Sequence, residues 1–265
     1  RIHFMIKYIA SDLDGTLLQN GAQKPDNETL ELIRRLTEAG IHFIAASGRQ
    51  YINMYRMFGP VQDMISYVSE NGALVMDQHK VVTKGSLDRD LVLRITEYAK
   101  GYPACNCQLS CESCCYTDSK DPFYIKHMTD VVQYDMAVVD NLADIKEPFL
   151  KLAMCDFSGK GTSAIEPFFR KEFGDEIKIV TSGNEWIDFV APDINKGTAL
   201  EKLVHYLGFD MSEGIAFGDQ FNDIEMLQMA GDSYALSGCA PGVEAYANHM
   251  TDSVQEVLKK VLAEL

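Results

Sequence analysis

The chain has 265 residues, 46% of them hydrophobic and 24% charged, which is ordinary for a globular protein and enough for one large domain or two modest ones. Its formal net charge of −15 argues against nucleic acid or anionic lipid as a partner, because no broad set of cations is available to release counterions. A small phosphorylated ligand is not excluded, since a metal ion and one or two basic side chains reverse the field inside a cleft. No apolar run reaches the roughly 18–20 residues of a membrane span. The opening Arg1-Ile2-His3-Phe4-Met5 lacks the apolar segment of a secretory signal, so a cytoplasmic protein is expected.

In chain order, Lys7 to Ser11 reads as a buried strand. Glu28 to Ala39 reads as a helix with Leu30, Ile33 and Leu36 along one face, capped by Asp26 or Asn27 and ended by Gly40. A strand over Ile41 to Ala46, a short helix over Tyr51 to Phe58 and a strand over Met64 to Ser69 follow. Such alternation with apolar strands predicts a parallel sheet covered on both faces. Asn71-Gly72 is a hairpin signal, and after it the texture changes. Between about Gly85 and Trp186 come a helix (Asp88 to Lys100), cysteine-rich strands, a polar stretch (Tyr116 to Lys126) and a strand (Phe149 to Cys155). A further helix (Ser163 to Phe173) and strand (Glu176 to Thr181) close that region. From Asn195 the first texture returns, with a helix to Leu207, a strand over Gly214 to Phe217 and a helix over Asn222 to Met229. A strand over Asp232 to Leu236 and a last helix over Asp252 to Leu262 complete it. There is no internal repeat. The expected architecture is α/β: a Rossmann-like parallel-sheet core made of residues 1–84 and 187–265, carrying an inserted α/β cap of residues 85–186.

Five of the seven cysteines lie close together, at Cys105, Cys107, Cys111, Cys114 and Cys115. Without sign of export, free thiols are expected. Cys111 and Cys114 have the spacing of half a zinc site, but no second half is evident. Chance enrichment of small apolar residues in a strand is the preferred reading.

The strongest chemical signal is Asp12-Leu13-Asp14-Gly15-Thr16, directly after the first strand. Extended alternation would point Asp12 and Asp14 the same way at the carboxyl end of the sheet, where ligands bind in open α/β folds. Burying two carboxylates needs a cation or hydrogen bonds to offset the cost. A second carboxylate set, Gly218-Asp219-Gln220-Phe221-Asn222-Asp223, again follows an apolar strand. Together the two sets make an oxygen-rich site suited to magnesium. Ser47-Gly48-Arg49 offers a hydroxyl and backbone amides as an anion cradle. Lys196 opens a helix, where a cation is misplaced on dipole grounds, so an anionic partner is expected.

In order and spacing, Asp12 to Thr16, Ser47, Lys196 and Gly218 to Asp223 resemble the four motifs of the haloacid dehalogenase superfamily, more narrowly its Cof-type sugar-phosphatase branch. Asn71-Gly72-Ala73 and a cap of about a hundred residues extend the likeness over nearly the whole chain. The resemblance implies Asp12 as nucleophile and Asp14 as general acid/base. It implies Mg2+ held by Asp12, the Asp14 carbonyl and Asp219, with Asp223 in support, and phosphate contacts from the Leu13 amide, Ser47, Gly48, Lys196 and Asn222. Gln220, Ser237-Gly238-Cys239 and the cysteine cluster depart from the family pattern without touching that set.

The expected activity is therefore Mg2+-dependent hydrolysis of a small-molecule phosphate ester, a sugar phosphate or phosphorylated cofactor, through an aspartyl-phosphate. The two carboxylates need opposite protonation in the first step, so a raised pKa is expected for Asp14 and a low one for magnesium-bound Asp12. Tyr116, Tyr124, Lys126 and His127 are candidate substrate readers in a closing cap, against the plainer reading of surface residues. The alternatives are a phosphomutase, separated by transfer rather than release of phosphate, and a non-catalytic regulator on the same scaffold. The sequence does not give the oligomeric state.

Overall fold

The structure is a computed structural model that describes residues 6–182 and 185–265; the opening pentapeptide lies outside the described residues. The chain forms two compact units, one comprising residues up to Thr83 with Asn195–Leu265, the other Lys84–Ile194.

The first unit is built on an eight-stranded sheet. Across it run His249–Thr251, Asp232–Leu236, Gly214–Gly218, Tyr8–Ser11, His42–Ala46, Ser66–Ser69, Leu74–Asp77 and Lys80–Lys84. The first six strands are parallel, and Ser66–Ser69 turns back antiparallel into Leu74–Asp77, the hairpin expected at Asn71-Gly72. Tyr8–Ser11 and Gly214–Gly218 are adjacent and fully buried. Strand order departs in opposite directions from this pair, which makes their carboxyl ends the topological switch point where open α/β sheets take ligands.

The flanking helices form for local reasons. Asp26 caps Asn27–Glu38 by accepting from the Thr29 amide at 2.8 Å, and Leu32, Ile33 and Leu36 are buried. Gly40, at φ +89°, turns the chain out of that helix. Asn195 and Thr198 form a reciprocal capping box on Lys196–Tyr206. That helix lays Ala199, Leu200, Leu203 and Val204 into a core with Tyr8, Ala10 and Ile44.

The second unit has a six-stranded sheet in the order Lys178–Ser182, Trp186–Val190, Lys151–Cys155, Asn106–Ser110, Cys115–Thr117, Met136–Val138, antiparallel except for the last pair. Helices Arg89–Ala99 and Glu166–Phe173 contribute Val92, Ile95 and Phe169 to a core with Leu109, Leu152 and Phe189. Trp186–Val190 pairs on both sides within this sheet, so the unit runs on to Ile194, past the expected boundary at 186/187. The physical reason is that a strand wedged between two partners cannot leave its sheet. The stretch expected to be merely polar holds a short helix, Pro122–Lys126, capped by Asp121.

None of the seven cysteines is in a disulfide. Cys107 and Cys111 lie in the apolar core just described, and Cys115 and Cys155 are also buried. Burial pushes the Cys107 thiol up to about 12, so it behaves as an apolar side chain. No helix of the described residues is long and apolar enough to cross a membrane.

Candidate active site

Parallel pairing places Ser11 opposite Phe217, so the turns that follow the two strands emerge side by side. Asp12 is buried on one, Asp219 on the other, and Asp223 comes back beneath them from the turn Phe221–Asp223. One carboxylate oxygen from each of Asp12, Asp219 and Asp223 lies within 4.8 Å of the others, the one group among the described residues able to grip a single ion. Three hard carboxylates converging at a sheet end suit a divalent cation with oxygen preference.

Lys196, 1% exposed at its side chain, is the counter-charge: its Nζ donates to Asp12 Oδ1 at 2.6 Å and to Asp223 Oδ1 at 2.7 Å. The misplaced cation at the helix start thus has its anionic partners. Asp223 Oδ2 accepts from the amides of Asp219 and Gln220, both at 3.0 Å. Thr16 Oγ1 donates to Asp219 Oδ1 at 2.8 Å, and Gln220 Nε2 donates to Asp219 Oδ2 at 3.1 Å.

Three acids share one ammonium, and the protonation equilibria follow from that excess. Burial, then the negative charge of Asp223, pushes the Asp12 carboxyl well above the usual range, against the pull of Lys196. Burial and Asp223 raise Asp219 likewise. Burial opposes the charged ammonium of Lys196, but Asp12 and Asp223 more than offset it, and its pKa is raised. The direction for Asp12 is opposite to the low value expected of a magnesium-bound acid, because that expectation counts a cation and this carboxylate faces only other acids and one lysine.

Two glycines are required by this packing. Gly15 sits at φ +87°, and a Cβ there would meet Asp219 Oδ2 at 2.4 Å; a Cβ on Gly218 would meet the Asp223 Cβ at 2.5 Å.

Asp14 is more exposed than Asp12. Its side chain is 53% exposed, and the Arg49 guanidinium grips both oxygens, Nε to Oδ2 at 2.8 Å and Nη2 to Oδ1 at 2.7 Å. The strand over which the two were expected to alternate ends at Ser11, and the chain turns through Leu13 and Gly15. Leu13 is buried, its carbonyl accepting from the Thr16 and Leu18 amides.

Ser47 follows His42–Ala46, and its Oγ accepts from the Arg49 amide at 3.2 Å. Its carbonyl accepts from the Asn71 amide at 3.0 Å, so the turn after Ser66–Ser69 docks on the Ser47–Arg49 turn. A Cβ on Gly48 would lie 3.1 Å from Asn71 Oδ1. Asn222 Nδ2 donates to Asn71 Oδ1 at 3.0 Å, while Asn222 Oδ1 is buried with no partner. Ser47, Gly48 and Asn222 are thus joined through Asn71, which sequence reasoning left without a role. Arg49 was also unassigned, although it stands in the quoted Ser47-Gly48-Arg49; its link to Asp14 is set by tertiary structure.

Of the candidate readers in the second unit, Tyr124 is fully buried beside Met128 and Cys155, its hydroxyl 3.4 Å from Gln108 Oε1, so neither a reading nor a surface role fits it. Tyr116 donates to Glu147 Oε1 at 2.7 Å. His127 is partly buried and stacks on Phe123, with ring centroids 6.1 Å apart.

The sequence pattern of the haloacid dehalogenase-like hydrolases matches residues 9–260. The 5-amino-6-(5-phospho-D-ribitylamino)uracil phosphatase YbjI of Escherichia coli (strain K12) is 30% identical over 97% of this chain and 96% of its own length. The HMP-PP phosphatase of Yersinia pestis (strain Pestoides F) is 27% identical, covering 89% of this chain and 86% of its own. Among solved structures, SMU.1108c from Streptococcus mutans UA159 superposes with a TM-score of 0.85 at 26% identity, covering 97% of this chain and 99% of that one. The chain belongs to the haloacid dehalogenase-like hydrolases, in their Cof-type branch, and is a phosphoric monoester hydrolase.

Proposed function

We propose that this phosphatase uses Mg2+, held by Asp12, the Asp14 carbonyl and Asp219 with Asp223 in support, and works through an aspartyl-phosphate on Asp12. The observation that carries the reading is the convergence of Asp12, Asp219 and Asp223 on one buried point beside Lys196. When bound, the cation would offset the negative charge that otherwise keeps a carboxylate and a phosphate apart.

The chain's own groups supply the rest. A carboxylate oxygen of Asp12 attacks phosphorus, and the bond from phosphorus to the ester oxygen breaks. Asp14 gives its proton to that oxygen, so the alcohol leaves neutral. In the second step water attacks phosphorus, Asp14 takes the water's proton, and the Asp12–phosphorus bond breaks to release inorganic phosphate. In this reading Lys196, held by Asp12 and Asp223, stabilises charge on the transferring group, and Ser47, the Gly48 and Leu13 amides and Asn222 take its oxygens.

The substrates are small phosphorylated metabolites. The two relatives act on a phosphoribitylamino-uracil and on HMP-PP by name, which puts phosphorylated cofactor precursors beside sugar phosphates as compounds to test. In this proposal the unit Lys84–Ile194 is the substrate-selecting cap and the protein works in the cytoplasm. Metal-stripped enzyme should be inactive toward a panel of such esters and recover with Mg2+, and Asp12→Asn should stay inactive with it. Full turnover without a divalent cation would reject the metal assignment.

A further inference from the structure

We propose that Arg49 is a positioning residue for Asp14, fixing the plane and direction of the carboxylate that exchanges protons with the leaving group and with water. The inference rests on the reading of Asp14 as general acid/base. It starts from a mismatch of mobilities. Asp14 is half exposed on a turn beyond the strand, where a short side chain would sample several rotamers. The guanidinium that holds it is 9% exposed at its side chain and is itself anchored: Nη1 donates to Asn53 Oδ1 at 3.2 Å and Nη2 to Gln23 Oε1 at 3.1 Å. Arg49 therefore has a fixed plane before it meets Asp14.

The Nε–Nη2 edge engages both Asp14 oxygens, and two parallel hydrogen bonds transmit orientation as one cannot. Each carboxylate oxygen offers two lone pairs, and the fork takes one from each. The outward lone pair of each oxygen stays available to a leaving-group oxygen or a water. Proton transfer demands a heavy-atom approach of about 2.6–3.2 Å, so a carboxylate free to swing would spend much of its time out of reach. The backbone ties the same unit together, since the Arg49 carbonyl accepts from the Glu70 amide and its amide donates to Ser47 Oγ. Charge alone does not explain the arrangement: a lysine would supply charge without a plane.

The test is sensitivity to the leaving group, read as kcat/KM, which covers the steps through departure of the alcohol. An alkyl phosphate needs its oxygen protonated, whereas an aryl phosphate with an acidic phenol does not. Asp14→Asn should lower alkyl turnover by roughly 100-fold or more while sparing the aryl ester by comparison. Arg49→Lys and Arg49→Gln should show the same selective loss, at least about 10-fold greater for the alkyl than the aryl ester. Asn53→Ala, which loosens the anchor without removing the fork, should show it more weakly, and it replaces the Arg49 variants if they do not fold by circular dichroism. Equal losses on both esters, or full rescue by lysine, would overturn the proposal in favour of a structural or purely electrostatic role. If Asp14→Asn itself shows no alkyl selectivity, the general-acid reading fails first, and the proposal falls with it.

Discussion

Replacing Lys196 by methionine keeps a straight apolar stem of similar length and removes only the ammonium that Asp12 and Asp223 share. In the metal-free protein that leaves three buried carboxylates with no counter-charge, which costs roughly 3–5 kcal/mol when one partner of a buried pair is lost. A unit of this size shifts by about 2–4 °C per kcal/mol, so the melting temperature should fall by roughly 6–20 °C. The pH dependence has a definite sign. Lys196 pulls the Asp12 pKa down against burial and Asp223, so without it the already raised pKa of the folded acid climbs further. The variant therefore loses more stability than wild type as pH rises, and its deficit should be larger at about pH 8 than at about pH 5.5. Thermal melts of both proteins in chelator, and again with Mg2+, provide the assay; the cation should recover part of the loss by supplying the missing charge. A melting temperature within about 2 °C of wild type at both pH values would refute this account of the buried cluster.

Gly15→Ala should cost about 1–2 kcal/mol for its left-handed backbone, and the new Cβ must displace the Asp219 carboxylate it would approach to 2.4 Å. Mg2+ affinity, followed by thermal shift, should therefore fall more than stability does, and unchanged affinity would contradict the packing argument. His42, largely buried against Ser66, has its pKa lowered by burial, with Asp77 opposing in part. Its unfolded imidazole takes up a proton near 6.5 while the folded one stays neutral, so its contribution is complete above that value and is lost as pH falls through the folded pKa. Denaturant unfolding of His42→Gln should lose less stability than wild type between about pH 8 and about pH 5.5; parallel loss in the two proteins would contradict it.

The legibility of the molecule follows its physics. Tyr8–Ser11 and Gly214–Gly218 are buried on both faces, so they read as continuous apolar runs, and the acids just past them mark the ligand end of the sheet. Lys196 was legible by contradiction, as a cation at the wrong end of a helix. The short strands Leu74–Asp77, Met136–Val138 and His249–Thr251 gave no such signal, being three or four residues long and fixed by neighbours distant in sequence. Asp14 was read by strand alternation where no strand remains, and its partner Arg49 is 35 positions away. Tyr124 sits in a polar stretch yet is buried, because a helix of five residues turns it inward. Local pattern carries what local forces decide; the fork on Asp14 and the end of the second unit are tertiary facts.

The most direct measurement captures the intermediate. Enzyme quenched during turnover with Mg2+ and substrate is reduced with borotritide, which labels acyl phosphates, and the tritium is located by peptide mass spectrometry. The account predicts substrate-dependent label in the peptide carrying Asp12, at that residue, and none in Asp12→Asn. Label at another side chain, or an unlabelled Asp12 in Asp14→Asn enzyme, whose second step is slowed, quenched while it turns over an aryl phosphate with an acidic phenol, would contradict it.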